Sequence, residues 1–370
     1  MNCDEMEIAF IVCVNNEDYY EECQYYINRL HVPDGYHIDI ISIRDATSIA
    51  EAYNAAMESS GAKYKIYLHQ DVFIVDNNAL VQLLQIFKQH PNVGMIGTVG
   101  ATQIPEDGMV SMFWDAGMIE SSNGARATAS KFDMAEHEVM AVDGLFMATQ
   151  YDLRWRDDIL HDWHFYDISQ SFEFRKKGYK VLVSAQERSW LFHDNGLLNM
   201  INYDEEHKNF WDYYEEGVDV PAIKRFAYAK SEKELHWLMM QLKDRLKVLL
   251  MDHQVDQARE ILGNHYKDRH SDTELVILGN LLEIDALEDS YGLAAEQKFL
   301  NRHTSWTTLL KDYNRLKFLL RRLEFDATQN GAEEAIAQIH RFGISKQAIE
   351  RMIEYAVCRK EKVHAMLFGN

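Results

Sequence analysis

The chain has 370 residues, 47% of them hydrophobic and 26% charged, with only four prolines and a net charge of −21. That length favours two hydrophobic cores over one, and the composition excludes a disordered or collagenous chain. The charge is uneven: residues 1–221 hold 15 Lys and Arg against 37 Asp and Glu, whereas residues 222–370 hold 23 against 22. All four prolines, ending with Pro221, lie in the acidic part. The shift marks an expected boundary between a domain at 1–220 and a second at 221–370. So acidic a first part argues against a nucleic-acid partner, whose backbone needs clustered Lys and Arg.

Apolar stretches such as Ile8–Val14 and Val139–Ala148 are too short or too interrupted to span a bilayer. Asp4 and Glu5 stand where a secretory signal would be basic. Cys3, Cys13, Cys23 and Cys358 show no CxxC or finger spacing, so a reduced, cytoplasmic chain without structural zinc is expected.

In chain order, Glu7–Val14 is β-branched and apolar, fit for a strand buried on both faces. Tyr19, Tyr20, Cys23, Tyr26 and Leu30 follow at helical spacing. Tyr36–Ile43 predicts a strand, Ser48–Ser59 an alanine-rich helix, and Lys63–Leu68 a strand ending at His69-Gln70-Asp71. Asn78–His90 predicts a helix closed by Pro91, and Val93–Val99 a further strand. A polar insertion covers Ala101 to Met140, and Val139–Ala148 reads as a strand broken at Asp143-Gly144. His164–Lys177 predicts a helix and Tyr179–Ser184 a strand. This alternation argues an α/β domain with a mainly parallel sheet flanked by helices. Beyond Pro221, Leu235, Leu238, Met239, Leu242, Leu246 and Leu249 open a series of amphipathic patterns. They predict an all-helical C-terminal domain, available for a protein partner or a second copy of the chain.

Ligands of open parallel sheets bind outside the carboxyl ends of the strands. That rule selects Asn15 and Asn16, then Arg44 and Asp45, and above all His69, Gln70 and Asp71. A carboxylate directly after a buried strand suits a hard cation such as Mg2+ or Mn2+, although an Asp capping the next turn would look the same.

Ala52-Tyr53-Asn54-Ala55-Ala56, followed by Tyr64–Val72 with its His69-Gln70-Asp71, resembles the nucleotide-sugar half of family 2-like glycosyltransferases with the GT-A fold. In that family an Ala-x-Asn helix precedes a strand ending in a DxD motif. Here His69 replaces the first acid, and Asp71 matches the acid that meets the metal. Ala141–Met147, with Asp143 and Gly144, resembles the strand on the acceptor side, to which Trp163 is also assigned. His161–Asp167 followed by Phe174–Tyr179 resembles the family's acid-Asp and Arg-x-x-x-Gly-Tyr segment. The resemblance implies Asp167 as catalytic base, with Tyr166 where another acid is usual and Asp162 as competitor; either aspartate could instead cap the helix. It also implies His193 as a second metal ligand beside Asp71. Asn15, Asp45 and Asn54, with Val14, Asn16, His69 and Gln70, would then bind the nucleotide.

The expected activity is transfer of a sugar from a nucleoside diphosphate sugar, UDP first, to a carbohydrate hydroxyl, with inversion and with Mn2+ or Mg2+. Two rivals stand beside it. A sugar nucleotidyltransferase would carry a Gly-rich, basic phosphate loop after the first strand, where this chain has Asn15-Asn16-Glu17-Asp18. A non-catalytic binding or scaffold protein would fit the lost first acid of the DxD motif.

Overall fold

The computed structural model describes residues 3–104, 114–121, 126–127, 135–194 and 202–214, with scattered positions between 249 and 338. The chain divides into two compact units, Met1–Ser121 with Arg126–Asp194 and Met200–Ala229, and Lys230–Asn370 with Ser122–Ala125 and Asn195–Asn199. Among the described residues, every strand and every helix named below belongs to the first. The helical domain expected over 221–370 lies almost wholly outside the described residues.

Eight successive elements are β1 (Asp4–Val14), α1 (Glu17–Ile27), β2 (His37–Arg44), α2 (Ile49–Ser59), β3 (Ala62–His69), β4 (Val72–Ile74), α3 (Ala79–Gln89) and β5 (Val93–Gly97). Five short strands follow: β6 (Val99–Ala101), β7 (Ala116–Ser121), β8 (Arg126–Ala127), β9 (His137–Glu138) and β10 (Ala141–Val142). Then come β11 (Phe146–Thr149), α4 (Tyr166–Lys176), β12 (Lys180–Val183), β13 (Leu191–His193) and α5 (Tyr203–Tyr213). Among the described residues no helix is long and apolar enough to cross a membrane.

The larger sheet runs β2-β1-β3-β11-β5-β12-β9. Its β1 is the fully covered strand that the apolar run requires, with Ile8 to Val12 wholly buried. The sheet is not mainly parallel, as expected, but mixed: β1 pairs parallel with β2 and β3, and β12 with β5, whereas β11 is antiparallel to both β3 and β5. The physical reason is the break at Asp143-Gly144. It lets the chain reverse and insert β11 between two strands laid down long before it. A second sheet has the order β10-β6-β7-β13-β4, with β8 beside β7; the 101–140 insertion supplies β7 and β8 to it and β9 to the edge of the larger sheet.

Local signals place the helices. Asn16 caps α1, its side-chain oxygen accepting from the amides of Asp18 (3.1 Å) and Tyr19 (3.3 Å), and the acidic first turn suits the positive helix end. Ser48, rather than Asp45, caps α2 through the Glu51 amide at 3.2 Å. Asp45 is exposed and left-handed, with φ +57°.

Between α2, β3 and α4 the core is aromatic. Tyr53 lies 4.8 Å from Tyr67 and 4.9 Å from Trp155, ring centre to ring centre, and Tyr166 closes the group at 6.1 Å from Tyr53. Trp155 sits in a non-regular stretch, so its main chain needs a partner. Asn54 supplies it: the side chain donates to the Trp155 carbonyl at 2.9 Å and accepts from its amide at 2.8 Å, with Asn54 only 3% exposed. The Ala-x-Asn segment thus anchors a core loop.

Replacing Asn54 with Ala leaves two buried main-chain groups unsatisfied. It should cost about 2–6 kcal/mol in urea unfolding, taking ~1–3 kcal/mol for each orphaned group, with far-UV circular dichroism unchanged below the transition.

Candidate active site

Strand β3 ends in a tight turn, and β4 leaves it to pair antiparallel with β13, His193 opposite Val72. The ladder continues one step further, the Asp194 amide donating to the Asp71 carbonyl at 2.9 Å. This register brings His193 Nε2 to 3.5 Å from Asp71 Oδ2, although the two are 122 positions apart in sequence. Because β11 runs antiparallel to β3, the segment before it, Asp143-Gly144-Leu145, meets the end of β3. There the His69 amide donates to the Leu145 carbonyl at 3.2 Å.

Helix α4 closes the site from the other side. Phe165 precedes it in the left-handed region at φ +61° and makes no side-chain cap. Asp167, in the first turn, accepts from the Gly144 amide at 2.9 Å and from the Ile168 amide at 2.8 Å. Tyr166 points its hydroxyl at His69 Nε2, 2.6 Å away. Glycine is obligatory at 144, since a Cβ there would fall 2.1 Å from that same hydroxyl oxygen. His69, Asp71 and His193 each offer a ligand atom, all within 4.8 Å of one another, and these two imidazoles and one carboxylate are a chemically suitable donor set for a divalent cation.

Burial dominates the electrostatics. It pushes the Asp167 carboxyl up to about 7, helped by the negative charge of Asp143 and opposed by the Ile168 and Gly144 amides. Asp143 is raised by burial as well, against the Leu145 amide and the charges of His69 and His193. Burial alone would raise Asp71, yet the charge and hydrogen bond of His193, with His69 behind them, hold it below the ordinary carboxylate range. Burial likewise works against a charged His193, but Asp71 outweighs it and the imidazole is raised; His69, burial prevailing, is lowered.

The other predicted residues divide. Val14, Asn15 and Asn16 sit at the end of β1, where Gln70 Oε1 accepts from the Asn15 and Asn16 amides at 3.0 Å each, and Gln70 Nε2 donates to the Asn15 side chain. Gln70 therefore ties the β1–α1 loop to the end of β3. The Asn54 side chain is committed to the Trp155 main chain. Asp162 accepts from the Asn202 side chain, and its carbonyl receives the Ile49 amide at 3.2 Å. Trp163 is 42% exposed. A separate hollow of about 610 Å3, lined by Asp76, Asn78, Gln82 and residues 185–188, contains none of these groups. Sequence reasoning missed the His69–Tyr166 contact and the grouping of His69 with Asp71 and His193. The two-residue spacing of His69 and Asp71 around a turn was the available signal.

Residues 9–214 match the model of a family described as "Glycosyltransferase like family". The chain belongs to this family. For this glycosyltransferase-like chain, the matched stretch contains every residue of the cluster. No curated protein matches the sequence significantly. Among solved structures, S. aureus TarS is similar at 11% identity over 60% of this chain and 41% of its own length, with a TM-score of 0.40. The chain thus spans less than half of that protein. TarS 1–349 in complex with UDP-GlcNAc is similar at 12% identity over 81% of this chain and 93% of its own, TM-score 0.38. The mannosyltransferase PcManGT from Pyrobaculum calidifontis, in complex with GDP-Man and Mn2+, is similar at 12% identity over 84% and 85%, TM-score 0.35.

The raised Asp167 has a thermodynamic consequence. Between an unfolded pKa of about 4 and the folded value of about 7, the native state holds a proton that the unfolded chain has released. Asp167 therefore contributes stability that is full below pH ~4 and is lost as pH rises through ~7. Differential scanning calorimetry from pH 5 to 8 should show a melting temperature whose fall across this window flattens in Asp167→Asn. Equal slopes in both proteins would show that the carboxyl is not raised.

Proposed function

We propose that the protein transfers a sugar from a nucleoside diphosphate donor to an acceptor hydroxyl with inversion, and that Asp167 is the general base. The observation that carries this reading is the convergence of Asp167, Asp143, His69, Asp71 and His193 on the end of β3. A base working near neutral pH needs a pKa close to the ambient value, and a carboxyl raised to about 7 meets that demand where an ordinary one would not.

The chain's own groups divide the work. The Gly144 and Ile168 amides hold the Asp167 carboxylate in one orientation. With the proton gone, Asp167 takes the acceptor proton as the acceptor oxygen attacks the anomeric carbon and the nucleoside diphosphate departs from the opposite face. Asp143 keeps the carboxyl basic. The Gln70-braced loop at Asn15 and Asn16, with Asp45 at the end of β2, supports the nucleotide side. Exposed Trp163 offers the flat apolar face that stacks on a sugar ring. Asp71 and His193 would hold Mn2+ or Mg2+, which when bound offsets the negative charge of the diphosphate. Asp167 is preferred to Asp162 because Asp167 is held by the Gly144 amide beside Asp143, whereas the Asp162 carboxylate is tied to Asn202.

A screen of UDP- and GDP-sugars for hydrolysis or transfer, with and without Mn2+, tests the activity. With the donor in hand, Asp167→Asn should lower kcat by ~10²–10⁴ while leaving donor affinity nearly unchanged, because a base acts only in the transition state. Turnover of the wild type should rise with pH through about 7. Asp162→Asn should stay active; loss there with wild-type turnover in Asp167→Asn would move the base by five residues.

A further inference from the structure

We propose that the hollow of about 610 Å3 between the start of α3 and residues 185–188 is a second ligand site, and that it holds a neutral sugar unit of the acceptor remote from the reacting hydroxyl. The ligand class rests on the lining alone; its place in the acceptor rests on the glycosyltransfer reading above. Every lining side chain except that of Ala185 is polar or charged. A pocket with so little apolar lining gains affinity through hydrogen bonds, so its ligand carries many hydroxyls and little hydrophobic surface. The volume falls in the range of small-molecule pockets, ~300–1,000 Å3.

Charge argues against an anion. Asp76, only 3% exposed, takes the Arg188 guanidinium at two points, Nε to Oδ2 at 3.0 Å and Nη2 to Oδ1 at 2.7 Å. Burial would raise the Asp76 carboxyl, but Arg188 and the Asn78 amide, which donates at 2.9 Å, hold it below the ordinary carboxylate range. The Arg188 charge is therefore compensated, and exposed Glu187 adds a carboxylate to the same lining. A phosphate or nucleotide needs cationic donors that are not already paired.

The same pair fixes what a ligand would meet. A guanidinium carries five N–H donors, and Asp76 uses two of those on Arg188. The others, and the Asn78 side-chain nitrogen, have no partner among the described residues. Glu187 supplies the acceptor. Gln186 anchors the loop, its Nε2 donating to the Thr98 carbonyl at 2.8 Å and its Oε1 accepting from the Trp190 amide at 3.2 Å. Fixed donors beside a carboxylate suit adjacent sugar hydroxyls, each of which donates and accepts. The position fits an acceptor as well. β4 runs from Val72, opposite His193, to Ile74, opposite Leu191, and the Val75 and Asp76 amides then donate to the Trp190 carbonyl at 2.8 and 3.3 Å. Asp76 thus stands at the far end of the ladder whose near end bears Asp71 and His193. Five residue steps separate Asp71 from Asp76, a span of at most about 18 Å, which a chain of a few sugars covers and a single sugar does not.

Isothermal titration of the full chain with maltotriose, cellotriose, mannotriose and N-acetylchitotriose, with inorganic phosphate and UDP as controls, tests the ligand class. At least one trisaccharide should bind at millimolar concentration, and phosphate should not displace it. Asn78→Ala should weaken that binding about threefold to tenfold, and Glu187→Ala about tenfold or more, as neutral and charge-assisted hydrogen bonds are lost. Both residues are exposed, and Asn78 makes no side-chain cap to α3, so melting temperature and UDP affinity should stay unchanged. Arg188→Ala should abolish binding; because it strips buried Asp76 of its partner, the two exposed variants keep the test valid if it folds poorly. With a donor in hand, Asn78→Ala and Glu187→Ala should raise KM for a trisaccharide acceptor and leave kcat, and KM for the corresponding monosaccharide, unchanged. No trisaccharide binding, binding indifferent to both exposed variants, displacement by phosphate, or an equal KM change for short and long acceptors would overturn the proposal. Trisaccharide binding that these variants weaken, without turnover of any donor, would leave the sugar site standing and remove the glycosyltransfer reading.

Discussion

The rest of the site depends on one electrostatic constraint: Asp71, Asp143 and Asp167, each partly buried, share one end of β3, and no described Lys or Arg forms an ion pair with any of them. Like charges at close range in a poorly hydrated place cannot all ionise freely. The structure separates them by role. Asp71 ionises readily beside His193, whereas Asp143 and Asp167 hold their protons more tightly. A lysine would have neutralised the group permanently. Imidazoles instead leave its charge adjustable, by protonation or by a cation.

Backbone register, rather than loop flexibility, delivers these groups. The β4–β13 ladder brings Asp71 and His193 together, and the reversal into β11 brings Asp143 and Gly144 against the end of β3. The first turn of α4 then meets Gly144 through Asp167 and His69 through Tyr166. Functional groups on strand ends and a helix start are held more narrowly than groups on long loops. The aromatic packing of Tyr53, Tyr67, Trp155 and Tyr166 backs that arrangement with buried area.

Much of this was legible in the sequence. β1, β3, α2, α3 and α4 fall within about three residues of their patterns, because buried runs and helical periods are strong local signals. Strand direction was not legible. A run apolar on both faces looks the same in a parallel or an antiparallel setting, so the antiparallel β11 between β3 and β5 escaped notice. The short strands of the second sheet escaped as well, being two to six residues long and defined by pairing rather than by composition. Of the site, Asp71, His193, Asp143, Gly144 and Asp167 were all named from strand-end position and motif. The contact of His69 with Tyr166 joins residues 97 apart in sequence and has no local signature. The Asn54 bridge to Trp155 has no local signature either: a buried amide bridging main chain is indistinguishable in sequence from one awaiting a ligand.

The Gln70 brace changes how a ligand's binding energy is divided. One side chain fastens both amides of the loop after β1 to the turn that carries His69 and Asp71. The loop is therefore ordered when the protein folds, and its conformational entropy is lost then rather than at the moment of association. A ligand arriving at that edge meets a rigid surface, so little of its contact energy goes into arranging the protein. The same rigidity narrows choice: a loop that cannot reshape itself distinguishes ligands by the fit of their outlines rather than by adapting to them.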